Sequence, residues 1–227
     1  MKRDNLKQIV DQLKGYLEIE EGFGCREYLL NHKKDEELIN YNPSKEKPLE
    51  LLSKRVSNCR RCTLYRHRKN VVFGKGNINT QLLFIGEAPG EEEDLTGEPF
   101  VGKAGALLSK IMNSLGLERR EVYITNCLKC RPPLNRPPSK EELASCEEYL
   151  IEQINIIKPK LICALGKYAA WNLLKREEPI SVLRGSFYDY HNITVIPTFH
   201  PAYLLRNPRD KKLVWEDMKK IIQFLKK

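Results

Sequence analysis

Cysteine is the residue type whose spacing in this 227-residue chain most directly suggests chemistry. The sequence contains two CxxC pairs, CRRC at Cys59 and Cys62 and CLKC at Cys127 and Cys130, and a further cysteine follows at Cys146. Thiolates paired at this spacing are common metal ligands. The total of seven cysteines is odd, which argues against a framework of disulfide bonds. We therefore predict a bound metal ion or metal cluster.

Two sets of ligands fit these cysteines. A zinc site would use both CxxC pairs, but the pairs lie much further apart than the roughly 15 to 20 residues typical of ribbon-type zinc sites, and Cys146 would have no role. A 4Fe-4S cluster would use the other set of thiols: Cys59, Cys62, Cys130 and Cys146. Strand alternation favours this second set, since Cys127 faces away from a crevice that Asn126 faces. The zinc site stays the alternative.

The other unusual segments follow short apolar runs. Four runs are typical of buried strands: QLLFI at 81–85, VYIT at 122–125, KLICAL at 160–165 and ITVIP at 193–197. Three segments follow them: GEAPGEEED at 86–94, Asn126 with CLKCRPP, and TFHPAYLLRNP at 198–208. The carboxyl ends of parallel strands meet at one edge of a sheet, where ligand crevices form, so we expect the three segments to lie together.

Helical patterns alternate with these runs at residues 103–115, 140–157, 167–175 and 208–225. The second opens with Ser139 and Glu142 in the spacing of a capping box, and the last with Asn207 before Pro208. The alternation predicts an α/β fold, a three-layer α/β/α arrangement around a mostly parallel four-stranded sheet. Residues 1–48, with an amphipathic helix from about residue 4 to 20 and a linker, are predicted to form an N-terminal extension, and residues 49–227 the main domain.

Charge is distributed unevenly along the chain. The net charge is +9, but residues 1–48 carry 9 basic and 10 acidic groups, so the whole excess falls in residues 49–227. A basic domain favours a polyanionic partner such as nucleic acid. The sequence has no apolar run of about 20 residues and no signal-peptide pattern, so we expect a cytoplasmic protein that binds no membrane.

Four motifs together resemble the family 4 uracil-DNA glycosylases, the iron-sulfur branch of that superfamily, over about residues 55–226. They are GEAPGEEED, GEPFVGKAG at 97–105, ITNCLKCRPP and HPAYLL. The resemblance implies a monofunctional hydrolase that flips uracil out of DNA and leaves an abasic site in base excision repair. It also implies a 4Fe-4S cluster with a structural or DNA-positioning role. We expect a monomer, with contacts to repair or replication proteins through the N-terminal extension.

The resemblance implies roles for three pocket residues. Phe100 is the ring on which the flipped uracil stacks. Asn126 reads the edge of the base, because its amide can accept from N3–H and donate to O4, whereas cytosine presents the opposite pattern. His200 donates to uracil O2, where negative charge develops as the base departs.

The first motif carries further expected contacts. Glu87, with the backbone around Gly86 and Ala88, is expected to line the sugar and base and to position the attacking water. Family 1 enzymes carry an aspartate where this chain has Ala88, so no carboxylate at that position can activate water. Glu93 is expected to border C5 of the base and to disfavour the methyl group of thymine.

The segment after the last strand is expected to touch DNA. Leu204 is the predicted wedge, because an apolar side chain pressed between base steps helps to offset the unstacking of the duplex. Predicted phosphate contacts are Arg184, Lys167, Arg206 and Arg209. Two other functions stay open: a non-catalytic iron-sulfur module that binds nucleic acid on the same fold, and a zinc-ribbon DNA-binding protein built on CRRC and CLKC.

Overall fold

The four apolar runs form the parallel centre of a mixed sheet in the computed structural model, which describes residues 43–226. The strands in that part of the chain are β1 (Lys75–Gly76), β2 (Leu82–Gly86), β3 (Tyr123–Asn126), β4 (Leu161–Leu165), β5 (Tyr188–Tyr190) and β6 (Ile193–Thr198), in the order β1-β3-β2-β4-β6-β5. Strands β3, β2, β4 and β6 are parallel, and β1 and β5 pair antiparallel at the two edges. The two short edge strands were not predicted from the sequence.

Helices cover both faces of this sheet. They are α1 (Pro43–Ser57), α2 (Glu91–Thr96), α3 (Lys103–Asn113), α4 (Lys140–Ile157), α5 (Lys167–Leu174), α6 (Ile180–Leu183), α7 (Pro201–Arg206) and α8 (Lys211–Leu225). Helix α4 begins at the predicted capping box, in which the Ser139 hydroxyl accepts from the Glu142 N–H and the Glu142 carboxylate accepts from the Ser139 N–H. Pro208–Asp210 forms a 3-10 turn, so the last helix begins later than predicted.

Side-chain alternation along the central strands builds a core on each face. Phe84 and Ile124 pack on one side with residues of α3 and α8. Leu83 and Ile85 pack on the other side with residues of α4 and α5. The predicted α/β fold with a three-layer core is confirmed, and burying each of these large side chains contributes roughly 1.5–3 kcal/mol.

The sequence predicts a linker in the segment that ends at Pro48, but residues 43–48 are helical. Helix α1 begins at Pro43 and includes Pro48 within its second turn. Leu52 and Val56 on this helix pack against Tyr149 of α4. The division of the chain at residue 48 stays a prediction, and the helix predicted over residues 4–20 lies outside the described residues.

In the part of the chain that the structure describes, no helix is long and apolar enough to cross a membrane.

Candidate active site

The predicted pocket residues meet where the parallel strands β2 and β3 end. Gly86 and Asn126 are neighbours in the register of these strands. A Cβ atom added to Gly86 would lie 2.3 Å from Asn126 Oδ1 and 2.6 Å from Phe100 Cζ. The rings of Phe100 and His200 lie 5.5 Å apart, centroid to centroid. The amide, the two rings and the glycine therefore converge at the edge predicted from the strand pattern.

Phe100 is held in an unusual backbone conformation. Its φ of 54° lies in the left-handed region, which costs a residue other than glycine roughly 1–2 kcal/mol. The Arg119 guanidinium donates to the Phe100 carbonyl at 2.8 Å and to the Pro99 carbonyl. A Cβ atom on Gly105 would lie 1.8 Å from the same Phe100 carbonyl oxygen, so helix α3 must have glycine there. Strain of this kind, fixed by its surroundings, is typical of functional sites.

Asn126 presents an unused acceptor to the pocket. Its side chain is buried, and Oδ1 has no hydrogen-bond partner among the described residues. Leaving a buried acceptor unpaired costs roughly 1–3 kcal/mol. The close approach to Gly86 and Phe100 shows that this oxygen faces the space between them. It can accept a hydrogen bond from an N–H group of a planar ligand stacked on the ring.

His200 is arranged as a neutral hydrogen-bond donor. Its Nδ1 accepts from the backbone N–H of Ala202 at 3.1 Å, at the start of α7. This bond places the ring proton on Nε2. Burial lowers the pKa of His200 to about 4, so the ring is uncharged at neutral pH. Gly166 permits the position, because a Cβ atom there would lie 2.9 Å from the Cβ of His200.

Glu87 follows Gly86 and is half-buried. Burial raises the pKa of Glu87 to about 7, and the positive charge of Lys167 acts in the opposite direction. The Glu87 carbonyl accepts from the Leu128 N–H at 3.0 Å, and the Gly86 carbonyl accepts from the Cys127 N–H at 2.9 Å. The first motif is thereby tied to the segment that carries Cys127 and Cys130.

The thiols of four cysteines line one cavity beside the pocket. They are Cys59, Cys62, Cys130 and Cys146. Two of the sulfurs accept hydrogen bonds: Cys130 Sγ from Arg68 Nη1 at 3.2 Å and Cys59 Sγ from the Arg61 N–H at 3.5 Å. Within residues 43–226, no three or more His, Cys, Asp or Glu side chains converge closely enough to hold a single metal ion. The four cysteines share the lining of one cavity but do not converge on a single point.

Cys127, the first cysteine of the CLKC pair, is not among the residues that line that cavity. It is 1% exposed and packs in the core beneath α4 and α5 with Leu83 and Ile85. The set that the zinc interpretation requires is therefore not brought together. The donors that do meet are those of the iron-sulfur set.

Comparison with known proteins gives the family. Residues 73–220 match the sequence model of the Uracil DNA glycosylase superfamily. The type-4 uracil-DNA glycosylase of Thermotoga maritima is 46% identical over 188 residues, which cover 81% of this chain and 98% of that protein. The type-4 enzymes of Saccharolobus solfataricus and Archaeoglobus fulgidus are 45% and 43% identical, over 78% and 76% of this chain and 86% and 91% of their own lengths. The chain belongs to the type-4 uracil-DNA glycosylases.

The membership in the type-4 family predicted from the four motifs is therefore confirmed. Of the residues that the motifs single out, Gly86, Phe100, Asn126 and His200 lie together in this type-4 protein. Ala88 packs with the apolar residues around Cys130.

The prediction that Leu204 is the wedge is wrong. Its side chain is completely buried and belongs to the core that contains Val214 and Met218. The next residue, Leu205, is 46% exposed. The sequence offers two adjacent leucines, and the phase of the short helix α7 decides which of them faces the core.

The prediction that Arg184 contacts a phosphate is also corrected, because its guanidinium forms hydrogen bonds inside the protein. It binds both carboxylate oxygens of the buried Asp217, at 3.0 and 2.6 Å, and the Leu213 carbonyl. The side chain is 17% exposed, which leaves it poorly placed for a phosphate. The other predicted phosphate contacts, Lys167, Arg206 and Arg209, are exposed.

Glu93 fastens the loop that carries Phe100. One carboxylate oxygen accepts from the N–H groups of Val101 and Gly102, each at 2.9 Å, and the other accepts from Gly90 at 3.0 Å. The negative charge of Glu93 also acts on His200, whose pKa it raises against the effect of burial. A contact with C5 of the base stays a prediction.

Sequence reasoning missed two residues near this edge. Lys129, between the CLKC cysteines, is completely buried instead of exposed, and its spacing gives no hint of that. Leu134 is 95% exposed and has a φ of 56° in the loop after β3. The run PPLNRPP is the signal that could have marked a rigid loop there.

Proposed function

We propose that this chain removes uracil from DNA by hydrolysing the N-glycosidic bond and leaves an abasic site for base excision repair. The observation that carries the proposal is the unpaired Oδ1 of Asn126, which lies beside Gly86 and the strained Phe100 at the site where we place the flipped base. A base inside the stack of a duplex can enter such a site only after its nucleotide rotates outward. The type-4 family supplies the substrate class.

Base selection follows from the hydrogen-bond capacity of Asn126. Uracil offers N3–H to Oδ1 and O4 to the amide NH₂, and the base stacks on Phe100. Cytosine offers an unprotonated N3 and an amino group, so both partners of the amide would be mismatched. Buried polar groups left without partners give strong discrimination against the wrong substrate.

Departure of the base is assisted by His200. Negative charge accumulates on O2 of uracil as the glycosidic bond lengthens, and Nε2–H of the neutral ring donates to that oxygen. The bond strengthens as charge develops, so it stabilises the transition state more than the ground state. The Ala202 N–H bond fixes the tautomer before substrate arrives.

Glu87 acts on the sugar side of the reaction. In its ionised form it stabilises the positive charge that develops on the sugar and positions the attacking water. Ala88 offers no carboxylate for this task, so catalysis depends mainly on the leaving group. The raised pKa of Glu87 implies that the ionised form prevails only above about pH 7.

The residues around the cysteine cavity fit a 4Fe-4S cluster. Four thiols from the end of α1, the following loop, the loop after β3 and helix α4 surround it, and N–H donors already bond to the sulfurs of Cys59 and Cys130. When bound, a cluster supplies iron–thiolate bonds that tie these four segments together. Arg61 beside it pairs with Glu148, whereas Arg60 lies over the ring of Tyr65 and stays available to DNA.

The DNA-facing surface is assigned to the same edge of the sheet. Leu205 replaces Leu204 as the apolar wedge, and Lys167, Arg206 and Arg209 bind phosphates as counterions to the backbone. We further propose that the protein acts as a monomer.

The test is excision from a labelled strand with one uracil, beside a strand with thymine. Strand breakage after alkali at uracil alone, reduced roughly 100-fold or more in His200→Ala, is the expected result. Tight DNA binding without excision, in protein that holds four irons, would favour the non-catalytic module. Zinc in place of iron and sulfide would favour the zinc-ribbon alternative.

A further inference from the structure

Lys129 is a buried ammonium that touches the base-reading residue. Its side chain is 1% exposed. The Nζ atom donates to Asn126 O at 2.8 Å, to Thr125 Oγ1 at 2.7 Å and to Gln153 Oε1. The ammonium group of Lys129 thus donates to three neutral oxygen acceptors. One of these acceptors is the backbone carbonyl of Asn126.

The same lysine lines the cysteine cavity. Among the described residues, no carboxylate lies within ion-pair distance of its Nζ atom. Lys129 precedes Cys130 in the chain, and both residues line the cavity. A buried cation without an anionic neighbour is costly, and cysteines bound to a cluster in the cavity would supply negative charge beside it.

The surrounding network holds the end of β3 in place. Thr125 Oγ1 donates to the Phe73 carbonyl at 2.8 Å, and Gln153 Nε2 donates to the same carbonyl at 2.9 Å. Gln153 lies on α4, the helix that carries Cys146. One hydrogen-bonded chain therefore runs from the cysteine-bearing helix through Lys129 to Asn126.

We propose that Lys129 is a positioning residue that joins the cysteine cavity to Asn126, so that occupation of the cavity holds the base-reading amide in place. The inference rests on the proposed function and on the fit of the four thiols to a cluster. Lys129 touches no substrate atom in this scheme. Its effect passes through the Asn126 carbonyl and the backbone that aims the Asn126 side chain.

The test compares Lys129→Met with wild type and with Lys45→Met. The control loses the same kind of group, because Lys45 Nζ donates to the Ile157 carbonyl at 2.7 Å, far along the chain from the pocket motifs. Iron content, visible absorption, affinity for free uracil by calorimetry, and kcat and KM on a uracil-containing strand are measured for each. A second variant, Gln153→Met, keeps the lysine and removes one of its acceptors.

Lys129→Met is expected to weaken uracil binding and to lower kcat about tenfold per iron-loaded protein, with KM for DNA nearly unchanged, because the Asn126 carbonyl loses a hydrogen bond from a charged donor. Gln153→Met should weaken uracil binding by about threefold, and Lys45→Met should leave it unchanged. Should Lys129→Met fail to fold, the Gln153→Met result alone decides.

Uracil affinity and kcat that fall only in proportion to lost iron would overturn the inference, because Lys129 would then merely build the cavity. Unchanged affinity in iron-loaded Lys129→Met or in Gln153→Met would overturn it as well. A wild-type protein that holds iron but neither binds nor excises uracil would refute the proposed function and this inference together. Normal excision by the wild type, together with unchanged uracil affinity and kcat in Lys129→Met, would refute this inference alone.

Discussion

Two buried polar side chains near the carboxyl edge of the sheet differ in how completely they are paired. Asp217 on α8 accepts from Thr198 Oγ1 at 2.6 Å and from two nitrogens of Arg184. Asn126 at the end of β3 has an oxygen with no partner among the described residues. A group that serves the fold alone has its hydrogen bonds completed within the chain, whereas a group that serves a ligand keeps one open.

Removing the paired carboxylate should produce the largest effect, and the effect should be on stability. Asp217→Ala leaves the largely buried Arg184 without its partner, and breaking a buried pair in this way costs about 3–5 kcal/mol. Chemical denaturation measures the free energy of unfolding. Glu177→Ala, which breaks the exposed pair with Lys140, is the control and should leave stability unchanged. Excision per folded molecule should change little in Asp217→Ala. A selective loss of kcat in this variant would contradict the assignment of Asp217 to the fold alone.

Removing the unpaired amide should affect catalysis while sparing the fold. Asn126→Ala deletes the buried oxygen that lacks a partner, so the free energy of unfolding should stay level or rise slightly. Excision of uracil should fall roughly 100-fold, since about 2–3 kcal/mol of base recognition is lost. Single-turnover excision and denaturation of the same preparation test both halves. A variant that loses stability but excises uracil normally would reverse the interpretation.

The pocket edge should also respond to pH through Glu87. Because burial raises its pKa from 4.5 to about 7, the ionised form is lost below neutrality, and kcat/KM should fall about tenfold per pH unit there. Glu87→Gln should give a lower rate that stays level across the same range. Retention of the sloping limb in Glu87→Gln would assign the limb to another group.

Unfolding does not account for that limb. A carboxyl whose pKa is raised on folding stabilises the fold at low pH, and this contribution is lost as pH rises from about 4.5 through 7. His200 acts in the opposite direction, because its lowered pKa costs stability as pH falls from 6.5 towards 4. Melting temperatures measured between pH 6 and 7 should therefore change little while the rate changes about fivefold.

The pattern of the sequence was enough to predict the central strands and the meeting of their end segments, because parallel strands share one carboxyl edge. The same logic separated Cys127 from the other cysteines, since alternation along β3 turns it to the opposite face. The predictions failed where tertiary packing decides which way a side chain points. Neither the inward turn of Leu204 nor the pairing of Arg184 with Asp217, 33 positions later, has a local signal.

The adjacent leucines of α7 offer the smallest and most selective comparison. Leu205→Ala removes an exposed side chain, so it should leave stability unchanged and reduce excision from duplex DNA several-fold, because a wedge offsets only part of the few kcal/mol of unstacking. Single-stranded substrate, which has no stack to open, should be cut at the wild-type rate. Leu204→Ala should instead lower the free energy of unfolding by about 2–5 kcal/mol through the cavity it leaves. Equal losses on single-stranded and duplex DNA in Leu205→Ala would exclude this side chain as the wedge, and the exposed Leu134 would become the side chain to test.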